Sequence, residues 1–283
     1  MKTAEHFLTR TALALTALLG AAVALAQTQS TVQPPVGQPE TITVPLSRPG
    51  EPITLSIDIM SARIEVIGEE RKDVALNVTL SGGRRKIVTP SGPKTLAGGG
   101  GGLEISERDN RVEIESDGPP DRITIVARVP RRAQLNLSTV NDGEIIVRDI
   151  VGDMQLENVD GPITATNITG SVIAESVNSS LAIGLTGVAA GGATSVSSLN
   201  GDITLTLPAS ARADLHLDSG HGEIVSDFEL DVKPAKPVIE RSQNRGGVSV
   251  RMENVIVAAV NGGGPVIRVK TLNGGIKLSK AGS

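Results

Sequence analysis

Cysteine is absent from all 283 residues, as are tryptophan and tyrosine, and only two phenylalanines occur. Without a thiol there is no disulfide, no thiolate metal ligand and no cysteine nucleophile. Without aromatic faces, the usual platforms for sugar rings and stacked bases are missing. There is no basic stripe either. The chain has 27 Lys and Arg against 31 Asp and Glu, a balance that argues against nucleic acid as a partner and offers no polybasic patch to an anionic membrane.

One apolar run stands out, and it is short. Lys2 and Arg10 precede Thr11–Ala26 (TALALTALLGAAVALA), which ends in Ala24-Leu25-Ala26 before Gln27. A charged start, an apolar centre and an Ala-x-Ala end form the layout of a secretory signal peptide. The run is below the ~20 residues that span a bilayer. Residues 1–26 are therefore expected to be removed on export, leaving no membrane span and Phe228 as the last aromatic. Residues 27–39 (QTQSTVQPPVGQP) are polar and proline-rich and read as a flexible linker.

From Glu40 onward, β-branched and aliphatic residues alternate with polar ones, as in Thr41–Val44, Ile53–Ile57, Val74–Val78 and Ile123–Val129. That is the period of a strand with one buried face. The segment 81–102 breaks the pattern with Arg84–Lys86, two prolines and five successive glycines at Gly98–Gly102. It reads as a glycine-rich insertion that holds no strand.

Between Gly143 and Gly170 a period of nine emerges, with glycines at 143, 152, 161 and 170. Two residues after them come Ile145, Met154, Ile163 and Val172; four after, Val147, Leu156, Ala165 and Ala174; seven after, Ile150, Val159, Ile168 and Val177. All twelve are apolar in a chain that is 39% hydrophobic, so composition alone does not explain them. The first two apolar places make a short strand. The third points inward again only if the chain has turned a corner, at which glycine and Asp149, Asn158, Asn167 or Ser176 supply the turn chemistry. The expectation is one all-β domain over residues 40–283, a β-solenoid with about 18 residues per coil.

Leu199-Asn-Gly-Asp-Ile-Thr-Leu205 is echoed by Leu272-Asn-Gly-Gly-Ile-Lys-Leu278, with Ser219–Ile224, Asp227-Phe-Glu-Leu230 and Asn261-Gly-Gly-Gly-Pro-Val-Ile-Arg-Val269 between. This order resembles the DUF4097 family of bacterial β-strand-repeat proteins, labelled "putative adhesins". The resemblance runs from about Thr41 to the C-terminus and is firmest over Leu135–Leu278. It implies a β-solenoid of the cell envelope and brings no catalytic residues. Ser61-Ala-Arg-Ile64 and the extra residue in Val140–Ile145 depart from the NG-x-I turn.

Candidate chemistry is sparse. Calcium-binding nine-residue repeats need aspartate two places after the glycine, where this chain is apolar. His216, Asp218, His221 and Glu223 could offer imidazole and carboxylate ligands to zinc, but the plainer reading, a polar turn with exposed side chains, is preferred. An 18-residue repeat would set Glu157 beside Glu175, a carboxylate pair of the kind used in acid/base cleavage of polysaccharides. Arg84–Lys86 and Pro130-Arg-Arg132 read as solvated basic loops. No catalytic, metal or cofactor-binding residue is assigned. The expected function is that of an exported, non-enzymatic envelope protein, periplasmic or on the cell surface, adhesin-like or a scaffold for an envelope protein or polysaccharide. The alternatives are a carbohydrate-active β-helix enzyme and a periplasmic sensor or regulatory partner of an envelope-stress signalling system.

Overall fold

The computed structural model describes residues 39–80, 87–88, 102–117, 122–188, 192–233, 238–244, 247–253 and 255–282. The expected leader 1–26 and most of the linker 27–39 and of the insertion 81–102 lie outside the described residues. All the described ones belong to one unit, Gln33–Ser283. They form twenty-four strands and no helix.

The chain enters through β1 (Glu40–Pro45), β2 (Ile53–Ile59), β3 (Ala62–Glu69) and β4 (Asp73–Leu80). A two-residue strand, β5 (Ile87–Val88), follows inside the segment where glycine and proline predict none. It pairs with β6 (Gly102–Arg108). Next come β7 (Arg111–Asp117), β8 (Ile123–Pro130) and β9 (Ala133–Thr139). The nine-residue repeat is β10 (Glu144–Arg148), β11 (Met154–Asn158), β12 (Ile163–Gly170) and β13 (Val172–Ser176), extended by β14 (Leu181–Val188), β15 (Thr194–Ser198) and β16 (Ile203–Leu207). The C-terminal part holds β17 (Ala213–Ser219), β18 (Ile224–Ser226), β19 (Asp231–Lys233), the hairpin of β20 (Val238–Asn244) with β21 (Gly247–Glu253), then β22 (Val255–Val260), β23 (Val266–Thr271) and β24 (Ile276–Lys280).

Two large mixed sheets result. The first runs β1-β4-β8-β3-β10-β12-β14-β16-β24-β18, and the second β19-β22-β17-β23-β15-β13-β11-β9-β2-β7-β6-β5. Through the centre the chain alternates between them, so β11 joins the second sheet, β12 the first, β13 the second again. Each consecutive pair, one strand from each sheet, makes a tier. Neighbouring tiers pair in parallel and in register: Ile145 opposite Ile163, Met154 opposite Val172, Ile163 opposite Leu181. Hydrogen-bonded side chains of adjoining tiers accordingly stand 18 residues apart in this region.

In-register stacking lines up like residues. Ile64, Ile145, Ile163, Leu181, Ile203 and Ile276 form one interior column of the first sheet, all nearly or fully buried. Ile57, Leu137, Leu156, Ala174, Val196 and Val269 form another in the second. Each such side chain contributes on the order of 1.5–3 kcal/mol, and their methyl surfaces replace the aromatics that the sequence lacks.

Tier order departs from chain order twice. The β2–β3 tier sits between β7–β8 and β9–β10, and the β23–β24 tier sits between β15–β16 and β17–β18.

At the N-terminal end a polar clamp fixes the link between β1 and β2. Glu107 accepts hydrogen bonds from Ser47 N at 3.0 Å, Ser47 Oγ at 2.9 Å and Asn110 N at 2.9 Å. Asn110, 3% exposed and at φ 63°, bonds both the N–H and the carbonyl of Arg48. Partial desolvation alone would raise the Glu107 carboxyl, but the bonds from Ser47 and Asn110 and the nearby Arg48 charge outweigh it and hold it below the usual glutamate value.

Two predictions follow from this packing. Ile163→Asp places a carboxylate in the aliphatic interior and prevents folding, whereas Thr164→Asp on the outward face changes stability by about 1 kcal/mol or less, read as melting temperature. Glu107 titrates lower folded than unfolded, so its contribution is complete above the unfolded value of about 4.3 and is lost as pH falls through the lower folded value. The gap in urea midpoint between wild type and Glu107→Gln should therefore close between pH 7 and pH 3.

Candidate interaction surface

Each tier has to carry the chain from the second sheet to the first, and that corner is built by one recurring set of bonds. The last residue of the second-sheet strand turns inward: Thr139, Asn158, Ser176, Ser198, Thr271 and Ser219, each 9% exposed or less. Two bonds satisfy it at Asn158, Ser198 and Thr271, while Ser176 makes only the first and Ser219 only the second. Within its own tier its oxygen accepts the N–H three residues on, as from Gly161 to Asn158 at 3.2 Å, Gly201 to Ser198 at 2.8 Å and Gly274 to Thr271 at 3.2 Å. Toward the neighbouring tier it donates to a corner carbonyl, as Asn158 to Gly143 at 3.0 Å, Ser198 to Ser179 at 3.2 Å and Thr271 to Gly201 at 2.9 Å. A buried hydroxyl or amide thus pairs the backbone groups that a corner exposes.

Glycine at this corner answers closeness. A Cβ on Gly161 would overlap the carbonyl oxygen of Gly143 in the tier before it. At the opposite corner, from the first sheet to the second, closeness and conformation both apply: a Cβ on Gly170 would overlap the Gly152 carbonyl oxygen and Gly170 has φ +143°, while Asp149 and Asn167 take left-handed φ of 60° and 57°.

The two corners treat the third apolar residue of each nine differently. Ile150 and Ile168 are buried as expected. Val177 is 38% exposed and Val159 only half-buried, because Ser176 and Asn158 occupy the interior place beside them. The outward residues then line up. Met60 (56% exposed), Val140 (38%), Val159, Val177, Leu199 (44%) and Leu272 hold this place in six adjoining tiers. Backbone bonds from Val140 N to Met60 O and from Asn273 N to Leu199 O are among those that tie the column together. The extra residue of the Val140 corner is absorbed by Asp142, at φ 47°.

Beside the apolar column runs a row of amides. Asn178 donates to Asp160 at 2.6 Å, Asn200 to Asn178 at 2.8 Å and Asn273 to Asn200 at 2.7 Å. The Asp160 carboxylate, which only accepts, ends the row.

Among the residues singled out from sequence, Glu157 and Glu175 stand directly opposite on β11 and β13. Glu157 also accepts from Gln155 Nε2 at 2.6 Å. Leu215 and Leu217 face the core, which leaves His216 and Asp218 on the outer face. Asp218 is engaged by Lys270 at 2.8 Å, and His221 Nδ1 lies 3.1 Å from the Leu272 carbonyl. Among the described residues no group of three His, Asp or Glu side chains gathers as metal ligands would. Arg131 pairs with Glu70 at 3.3 Å, in a hollow of about 410 Å³ it shares with Arg132 and Arg71. Arg84–Lys86 lie outside the described residues. A second hollow, of about 360 Å³, lies beside Gly184 on the first sheet; Thr166, Thr206, Ala182 and Pro208 line it, without a titratable group.

No protein-family model matches the chain, and no curated protein matches it. Two solved structures are similar over 86% of its length. One is a "putative cell adhesion protein" of Clostridium sporogenes, at 12% identity, with a TM-score of 0.45 and 100% of its own chain covered. The other is a "putative adhesin" of Bacteroides fragilis, at 13% identity, with a TM-score of 0.37 and 98% covered. Similarity at that level assigns neither a family nor an activity.

The sequence reading missed the apolar column because it treated all four third-place residues alike. The signal was present in what precedes them: Asn158 and Ser176 can bond a turn N–H from inside, while Asp149 and Asn167 suit a left-handed turn. The corner chemistry predicts that Gly161→Ala costs several kcal/mol, since its Cβ meets backbone that is itself held in a ladder. Gly187→Ala, with nothing within 4 Å, should be neutral or slightly stabilising, as chemical denaturation of the two variants will show.

Proposed function

We propose that the chain is an exported, non-enzymatic β-solenoid of the bacterial envelope that serves as a scaffold for binding another macromolecule. The exposed apolar column carries this reading. In a chain whose strands otherwise alternate inside and outside with few exceptions, an outward place kept apolar in six adjoining tiers is surface set aside for contact. The tier geometry supports a solenoid: successive strands alternate between two sheets, and like residues stack in parallel register 18 positions apart in the repeat. Export is supported by the Lys2-to-Ala26 leader pattern. The adhesin-like role belongs with the sequence resemblance described above; the rigid, regularly spaced outer surface is compatible with it and equally with a scaffold inside the envelope.

The test has two readouts on cells expressing the full chain. Intact-mass analysis of the protein from the envelope fraction should give a chain beginning at Gln27, and cross-linking in situ should join it to a specific envelope protein or polysaccharide. A chain that keeps residues 1–26 and stays in the cytoplasm would remove the export part. Release of sugar fragments from envelope polysaccharide, abolished by Glu157→Gln, would replace the scaffold with an enzyme.

A further inference from the structure

The apolar column has a shape and a charge environment that restrict what can lie on it. At ~4.8 Å per tier, its six members span about 24 Å in a line one side chain wide. Carboxylates flank it on both sides. Two residues before the column, on the outer face of the second sheet, stand Asp58, Glu157 and Glu175; just after it come Asp142 and Asp160, all exposed. The nearby cations Arg122 and Lys270 are each set against a carboxylate, Asp142 at 3.7 Å and Asp218 at 2.8 Å.

We propose that this column is the docking track for a cationic amphipathic helix of a partner protein. The proposal rests on the scaffold reading and adds the chemistry of what the scaffold holds.

Charge selects the sign of the partner. Two copies of this chain facing each other along their columns would set flanking carboxylates against carboxylates, and an anionic lipid surface would meet the same repulsion.

Spacing selects the helix. The apolar seam of an amphipathic helix repeats every three or four residues, a mean advance of about 5.2 Å. A strand shows one face every second residue, about 6.7 Å apart. Over the five steps of the column a helix slips by about 2 Å and a strand by about 9 Å, from the same rises. A helix of about 18 residues therefore keeps an apolar side chain over every tier. Its lysines would reach Glu157 and Glu175 on one side. On the other they would reach the amide row, where the carbonyl oxygens of Asn178 and Asn200 each retain a lone pair beyond the bond they already accept.

The experiment titrates a fluorescent 18-residue peptide, leucine at the seam positions and lysine elsewhere, into the chain beginning at Gln27. Two control peptides accompany it: the same leucine seam with glutamate in place of lysine, and leucine alternating strictly with lysine over the same length. The leucine–lysine helix should bind, and both controls should bind at least tenfold more weakly. Val177→Ser with Leu199→Ser should weaken the helix at least tenfold, and Glu157→Gln with Glu175→Gln at least threefold with a shallower salt dependence. Glu104→Gln, an acid off the track, should change nothing. These side chains are exposed, so unchanged melting temperatures will establish that the variants fold. Equal binding of the alternating peptide, or full binding by the Val177→Ser/Leu199→Ser variant, would overturn the track, as would loss of self-association in that variant. If the same variant still cross-links to the wild-type envelope partner, the scaffold reading survives and the helix track does not.

Discussion

Backbone must meet backbone at every tier corner, and most of this molecule's sequence logic descends from that contact. Parallel tiers in register stand ~4.8 Å apart, which leaves no room for a Cβ where Gly161 passes the Gly143 carbonyl. The amides and carbonyls exposed by the turn need partners away from water. Asn158, Ser176, Ser198 and Thr271 supply them from inside an otherwise aliphatic interior. With a polar side chain turned in, the next residue is turned out. Geometry thus explains why Val159, Val177 and Leu199 face solvent. It does not require them to be apolar, and that remaining choice is what carries the functional reading.

The outer faces work on a different energy scale. Arg63 with Glu144, Arg148 with Glu65 and Lys270 with Asp218 join neighbouring strands across the sheets. These pairs are mostly exposed, and such pairs are worth little in stability. Their use is in register: a strand displaced by one residue would turn Glu65 or Asp218 inward among the columns of isoleucine and leucine. The interior fixes the body, and the exterior penalises the wrong alignment. Outward positions away from these pairs are consequently open to a binding role.

Much of this was legible because the determinants are local. Alternation marked the strands, and the nine-residue spacing of Gly143, Gly152, Gly161 and Gly170 marked two corners per tier. From these came the stacking of Glu157 on Glu175. Two things were not legible. The neighbours of a tier are chosen by surfaces far apart in sequence, so nothing near Ile276 announces that it will lie on Ile203, with which it is paired. The candidate surface also depends on which side of a corner a valine takes, and that is decided by the residue before it. Alternation describes strands and has no term for the place where a strand ends.

The position of the β23–β24 tier has a consequence in time. Among the described residues β18 pairs only with β24, and β17 only with β22 and β23. A chain made from its N-terminus has finished residues 213–226 well before any strand able to receive them exists. These strands wait, with Leu215 and Leu217 uncovered, until the last residues arrive and slide in between. Loop closure over that span is slow relative to the nearest-neighbour additions of the central tiers. The molecule is thus completed like an arch whose keystone is delivered last, and a copy interrupted near residue 260 would hold a finished middle and a β17–β22 pair with no tier to join them.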